Sequence, residues 1–487
     1  MLFLSRSLRH RWRRQSLAIL SFASPFSSFS KESVTTKVSP IVDHGPFGDG
    51  GTVVGFSKYD GVRAAFEENF ARRLELGSQL VVYEKGEKII DLYGYAPEME
   101  TNAGVGYDGD TLQCVFSSGK NMEAIAMAML VDRGLVDYDD LVTKHWPEFG
   151  ANGKDTITVA DVMRHSGGVP FVIDPESKDD TIVITPDDVF GVDPLEQKIC
   201  AAERFPTSSS PELIYHACTR GWLVNGILRR ADPSGRSLGK FIKEEITDPL
   251  SKVSDTGEVT FFCGIPKEDQ PNQKFANINS GSALYNTMTQ ILPSLLGFGD
   301  KSIGEVVKLS LRNDIRRKVV SWIDIPPSFD YIDSPKGRSM EFPSGGMVAN
   351  ARSMAIINAA AMAGDGSFDG IRLMSPEGVS HSMGDIVTRI DVASDLSFGF
   401  SRGGYGKFKD SFGEGDSGSY QSRIFHPDDK IAYGNCMGWG GVGGSLSIVD
   451  REKDISFAYC MNAANTSLIG GVRTRRILLE LQKAIAA

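Results

Sequence analysis

Ser117-Ser-Gly-Lys120 places a hydroxyl and an amine three residues apart. A serine hydroxyl attacks a carbonyl only when a neighbouring group takes its proton, and a lysine three positions along one helix face is within reach to do so. Thr111 to Phe116 runs into the motif as an extended apolar segment, and Asn121 to Gly134 continues as an apolar helix closed by glycine. Ser117 is therefore expected to open a buried helix, where unpaired first-turn N–H groups favour negative charge on an attacked carbonyl. The spacing alone is weak evidence, because Ser237-Leu-Gly-Lys240 repeats it within a polar helical stretch that reads as surface. The other reactive residue types are scattered. Cys114, Cys200, Cys218, Cys263, Cys436 and Cys460 form no CxxC pair and the seven histidines no HExxH face, so no metal site and no cofactor are expected. The cysteines read as buried thiols.

These groups need a scaffold. Val62, Phe66, Phe70 and Leu74 recur at helical spacing. Gln79 to Tyr83 and Lys88 to Tyr93 form one expected β-hairpin about Gly86, and Gly444 to Val449 with Ile455 to Met461 form another. Helical patterns dominate from about Ser117 to Leu250 and from Ser353 to Gly364, and Arg473 to Ile485 is a final amphipathic helix. The economical architecture is α/β (α+β): one antiparallel sheet built from both chain ends, flanked by helices, with a helical lobe inserted at roughly 117–360. Ser166 to Pro194 and Asp269 to Pro335 are expected to be long surface loops.

Residues 1–31 contain Arg6, Arg9, Arg11, Arg13, Arg14 and Lys31 and no acid. With many serines and short apolar spacers, this is the composition of a mitochondrial targeting presequence; a secretory signal and a basic tail without an address are the rivals. A linker over 32–57, a main unit over 58–470 and a terminal helix over 471–487 packed on the sheet would follow. The formal charge of the whole chain is -10; without those six basic residues, 46 basic face 62 acidic, a net -16. So acidic a body excludes nucleic-acid binding through general electrostatics. No segment approaches the roughly 20 apolar residues that cross a bilayer, so an integral membrane protein is not expected.

Several stretches then resemble one family in the family's own order. They include Leu80-Val-Val-Tyr-Glu-Lys-Gly-Glu-Lys-Ile-Ile-Asp-Leu-Tyr-Gly94, Val115-Phe-Ser-Ser-Gly-Lys120, Trp146-Pro-Glu-Phe149 and Met163-Arg-His-Ser-Gly-Gly168. Tyr215-His-Ala-Cys-Thr-Arg-Gly-Trp-Leu223, Ala349-Asn-Ala-Arg-Ser-Met-Ala355 and Trp439-Gly-Gly-Val-Gly-Gly-Ser445 continue the series. From Gly55 to Ala463 the chain resembles the class C β-lactamase, DD-peptidase and serine-esterase superfamily, and within it the esterase-like branch. The resemblance implies a β-lactamase/transpeptidase-like fold.

It also implies roles. Ser117 would be the acylated nucleophile, Lys120 the amine beside it, and Tyr215 the base that later protonates the leaving group. The N–H groups of Ser117 and Val442 would form the oxyanion hole, with Trp439, Gly440 and Gly441 on the substrate-binding strand. His216 is placed beside that substrate site in a structural role, not as a base. Trp439 stands where β-lactamases and DD-peptidases carry a cation, and Ala217 where Tyr-x-Asn carries its Asn. Both departures favour a small-molecule ester or related acyl substrate over an anionic β-lactam or peptide. The alternatives are a peptidase, a weak β-lactamase, and a non-catalytic organellar scaffold, since self-association occurs among relatives.

Overall fold

The computed structural model describes residues 41–44, 58–96, 99, 101, 106–173, 181–205, 212–255, 257–279, 329–411, 425–464 and 471–486. The expected presequence and most of the 269–335 segment lie outside these residues.

Nine strands form one sheet: β1 (Ile41–His44), β2 (Gly77–Glu84), β3 (Glu87–Tyr95), β4 (Val387–Ile390), β5 (Ser397–Phe400), β6 (Gly406–Lys407), β7 (Met437–Gly440), β8 (Leu446–Asp450) and β9 (Ile455–Met461). Their order is β1-β3-β2-β9-β8-β7-β6-β5-β4, with antiparallel neighbours throughout. The two expected hairpins meet at the centre, where Ile455 pairs with Glu84 and Met461 with Ser78.

Both faces of this sheet are covered, which is why its central strands read as continuous apolar runs. Successive side chains point to opposite faces. Leu80, Val82, Phe457 and Tyr459 join one core, whereas Val81, Tyr83, Ala458 and Cys460 join the other. The helices that frame the sheet and the lobe are α1 (Asp60–Ala71), α2 (Lys120–Asp132), α3 (Thr219–Ala231), α4 (Ala351–Asn358) and α5 (Gly471–Ala486), with shorter helices between them. On the first face α1 and α5 supply Val62, Phe66, Phe70, Ile477, Leu478 and Leu481. On the second face α4 packs on the sheet, with α2 and α3 in the helical lobe beyond. The α2 helix is buried on nearly every side, in keeping with its lack of a polar stripe.

Two expectations change, and one element is new. Ile41–His44, inside the expected linker, pairs with Leu92 to Tyr95 as an edge strand; its Gly/Pro-rich surroundings hid the short pattern. The Ser166–Pro194 loop contains a helix at Pro186–Gly191, because Thr185 and Asp188 form a capping box and Pro186 suits the first turn. A small sheet of Gln113–Cys114, Val348–Ala349 and Phe261–Phe262, not foreseen, ties the segment before Ser117 to the lobe. Among the described residues no helix is long and apolar enough to cross a membrane. All six cysteines are free thiols, with Cys114, Cys263, Cys436 and Cys460 buried.

Candidate active site

Ser117 lies in a 3₁₀ turn, Phe116–Gly119, that leads into α2, one turn before the α-helix proper. A 3₁₀ turn has three residues per turn, so residues i and i+3 eclipse one another. Lys120 is thereby set directly over Ser117, with Nζ 3.2 Å from Ser117 Oγ. Phe116, immediately before the serine, has φ of 47°, a left-handed conformation that costs a bulky residue strain and lets the chain turn sharply there. From the segment leading into α3, Tyr215 places its hydroxyl 2.8 Å from Ser117 Oγ. The three residues expected to act together are together.

Lys120 is fully buried, and its other two hydrogens go to the carbonyls of Ala217 (2.9 Å) and Ser344 (3.1 Å). One position on the nitrogen is left, and it points at Ser117. Among the described residues Lys120 has no ion-pair partner, and its Nζ lies 5.2 Å from the centre of the Tyr215 ring.

A second set of residues, missed from the sequence, fixes these groups. Ser344 donates from Oγ to Glu123 (2.7 Å) and accepts from the N–H of Gly221 (3.0 Å), which holds the carbonyl that receives Lys120. Glu123 pairs with Arg220 at 3.2 Å, both fully buried. Asp391 accepts the N–H of Tyr215 at 2.9 Å. Glu123 stands three residues beyond Lys120 and Arg220 five beyond Tyr215, spacings that could have flagged them. Ser344 and Asp391 come from distant segments with no local signal.

Trp439 is almost wholly buried. Its ring stacks on Phe400 (5.4 Å between centres) and Tyr215 (6.0 Å), and its indole N–H donates to the Gly404 carbonyl at 3.0 Å. It is thus an apolar wall behind Tyr215. His216 does not line the substrate site, contrary to its placement beside it. It is buried, its Nδ1–H donates to Ile214 O (2.6 Å) and its Nε2 accepts from Val169 N–H (3.1 Å). A carbonyl only accepts and an amide N–H only donates, so these contacts fix the neutral tautomer. Burial, with Arg220 and Lys120 nearby, pushes His216 down to about 4 and His165 well below the ordinary histidine range.

Strand β7 and the turn after it pack against the Ser117 turn. Ser445 Oγ donates to Val115 O (2.8 Å) and meets Ser118 Oγ at 2.9 Å. A Cβ at Gly441 would collide with Ser445 Oγ and Val115 O, so only glycine fits the approach. Gly440 ends β7 opposite Leu446, and Val442 stands at the crest of the turn with 59% of its surface exposed. The second serine-lysine pair is a helix cap: Ser237 accepts the N–H of Lys240 at 3.3 Å, and the Lys240 side chain faces solvent.

Comparison with known proteins gives a consistent result. The family described as Beta-lactamase matches residues 62–482. The chain is 28% identical over 417 residues to the esterase/beta-lactamase LipL of Mycobacterium tuberculosis, covering 83% of this chain and 81% of that protein. Among solved structures, a penicillin-binding protein homolog from Caulobacter crescentus is 24% identical with a TM-score of 0.65, and a family VIII carboxylesterase 23% with 0.66. Each comparison covers 89% of this chain and 99% of the other, and at such identities the likeness speaks for the fold.

Proposed function

Because the chain belongs to the Beta-lactamase family, we propose that it is a serine hydrolase of the carboxylesterase type that cleaves a small-molecule ester through a Ser117 acyl-enzyme. The observation that carries this reading is the triangle of Ser117 Oγ, Tyr215 Oη at 2.8 Å and Lys120 Nζ at 3.2 Å. Tyr215 takes the Ser117 proton as Oγ attacks the ester carbonyl, and returns it to the departing alcohol oxygen. The acyl group stays on Ser117 until water, deprotonated by the same phenol, attacks it. The N–H groups of Ser117 and Val442 receive the oxyanion in both steps; neither donates to a backbone carbonyl among the described residues.

An ester is favoured over an anionic amide by the apolar wall of Trp439 and Phe400, which offers no cation to a carboxylate. The names of the mycobacterial relative and the family VIII structure, an esterase and a carboxylesterase, agree with this choice. Purified protein should be labelled by a fluorophosphonate probe and should hydrolyse short-chain p-nitrophenyl esters, and Ser117→Ala should abolish both. Labelling or turnover that persists in Ser117→Ala would sink the reading. We also propose that residues 1–31 direct import into mitochondria, on the strength of their five arginines and absent acids. A fusion of residues 1–40 to a fluorescent protein that stays in the cytosol would refute that.

A further inference from the structure

The turn that carries Val442 is held from below by a residue of the last helix. Arg473, in the first turn of α5, is 1% exposed. Its Nη2 donates to the carbonyl of Gly443, and its Nη1 donates to Ala463 O (2.7 Å) and pairs with Glu75 at 2.9 Å. Gly443 and Gly444 have φ of 87° and 119°, and a Cβ at Gly444 would collide with Arg473 Nη2. The guanidinium therefore occupies the space that a side chain would take, and the turn is shaped around it.

Peptide planarity gives this contact a longer reach. The carbonyl of Gly443 and the N–H of Gly444 belong to one rigid plane, and that N–H donates to Gly441 O at 3.0 Å. The carbonyl of Gly441 shares its own plane with the N–H of Val442. Two peptide units thus connect the guanidinium to the Val442 amide, each donating onward in the same sense. Hydrogen bonds aligned in series polarise one another, most strongly when a charge heads the chain. The exposed Val442 side chain gives the turn no packing anchor of its own, so its amide direction depends on these neighbours.

We propose that Arg473 is a positioning residue for the oxyanion hole, aiming and polarising the Val442 N–H through the peptide planes of Gly443–Gly444 and Gly441–Val442. The inference rests on the hydrolase reading, in which that amide meets the oxyanion. Loss of an oxyanion donor lowers turnover by about 10²- to 10³-fold, so a donor left in place but misaimed should lower it by about tenfold.

The test compares the full-length wild type with Arg473→Gln, Arg473→Lys and Arg476→Gln. The last residue lies on the same helix and pairs with Glu68 at 3.2 Å. Arg473→Gln should lower kcat for a p-nitrophenyl ester about tenfold with KM within twofold, and should shift the Val442 and Gly444 amide resonances in nitrogen-15 spectra. Arg473→Lys, which keeps the charge, should recover part of both effects and serves alone if the glutamine variant does not fold. Arg476→Gln should change neither. Unmoved Val442 and Gly444 resonances, or a kcat no lower than that of Arg476→Gln, would overturn the proposal. If the wild type neither turns over esters nor is labelled at Ser117, the hydrolase reading fails, while the amide resonances still decide whether Arg473 controls the turn.

Discussion

Tyr215 Oη stands 2.8 Å from Ser117 Oγ, nearer than Lys120 Nζ at 3.2 Å, so phenol and amine address one hydroxyl from two sides. Two of the Lys120 hydrogens are held by carbonyls, which in the proposed mechanism leaves the phenol to deliver the proton to the leaving alcohol. Tyr215→Phe keeps the ring against Trp439 and removes only the oxygen. It should lower kcat for p-nitrophenyl acetate by about 10²- to 10⁴-fold, the usual worth of a general acid–base, with little change in thermal stability. Turnover within tenfold of wild type would show that another group moves the proton.

Beneath the site, Glu123 and Arg220 are both fully buried. Removing one charge strands the other in a medium that cannot solvate it. Glu123→Gln should therefore destabilise the protein by about 3–5 kcal/mol in urea unfolding. Lys483→Ala, which breaks the exposed pair with Glu480, should stay within about 0.5 kcal/mol. Equal effects at the two sites would show that the buried pair is compensated elsewhere.

Acid should weaken the fold through His216. Its pKa is about 4 in the folded state and 6.5 when unfolded, so between these values the unfolded chain binds the extra proton. Its stabilising contribution is complete above pH 6.5 and is lost as pH falls toward 4, on the order of 3 kcal/mol at the lower limit. His165, also held neutral by burial, acts in the same direction. Urea unfolding at pH 7.5, 5.5 and 4.5 should show this decline, and His216→Asn should flatten part of it. An undiminished slope in that variant would assign the effect to other groups.

The two serine-lysine pairs should separate cleanly. Ser237 caps its helix and donates to Glu341 at 2.7 Å, so Ser237→Ala should cost about 1 kcal/mol of stability and leave ester turnover unchanged. Ser117→Ala should do the reverse. Loss of turnover in Ser237→Ala without loss of fold would connect that helix to the site.

What the sequence disclosed and what it hid follow from the range of the interactions. Strands β2, β3, β8 and β9 and helix α5 are written in local apolar patterns, and they lie where those patterns place them. Ser117 and Lys120 stand close in the chain, so their spacing brings them forward, but Ser237 and Lys240 share that spacing and only the apolar flanks and the family resemblance separate the two pairs; Tyr215 needed the resemblance outright, because nothing local separates it from a core aromatic. Ser344, Asp391 and Arg473 reach the site from segments far along the chain. Arg473 shows the limit best: its α5 helix was anticipated as an amphipathic element packed on the sheet, yet a charged residue in such a helix reads as solvent-facing. His216 misled through adjacency to Tyr215, since neighbours in an extended segment point in different directions.

The pairing of β2 with β9 also sets an order of assembly. Residues 77–84 meet 455–461, so the middle of the sheet closes only after residue 461 has left the ribosome. Contacts so distant in sequence form slowly and expose apolar strand edges in the meantime. The Ser117 turn is synthesised early, but the turn bearing Val442 and the helix bearing Arg473 follow much later in the chain. In the proposed mechanism, a nascent chain that has not reached Val442 holds Ser117 without its second oxyanion donor, and hydrolytic competence waits for the closed sheet.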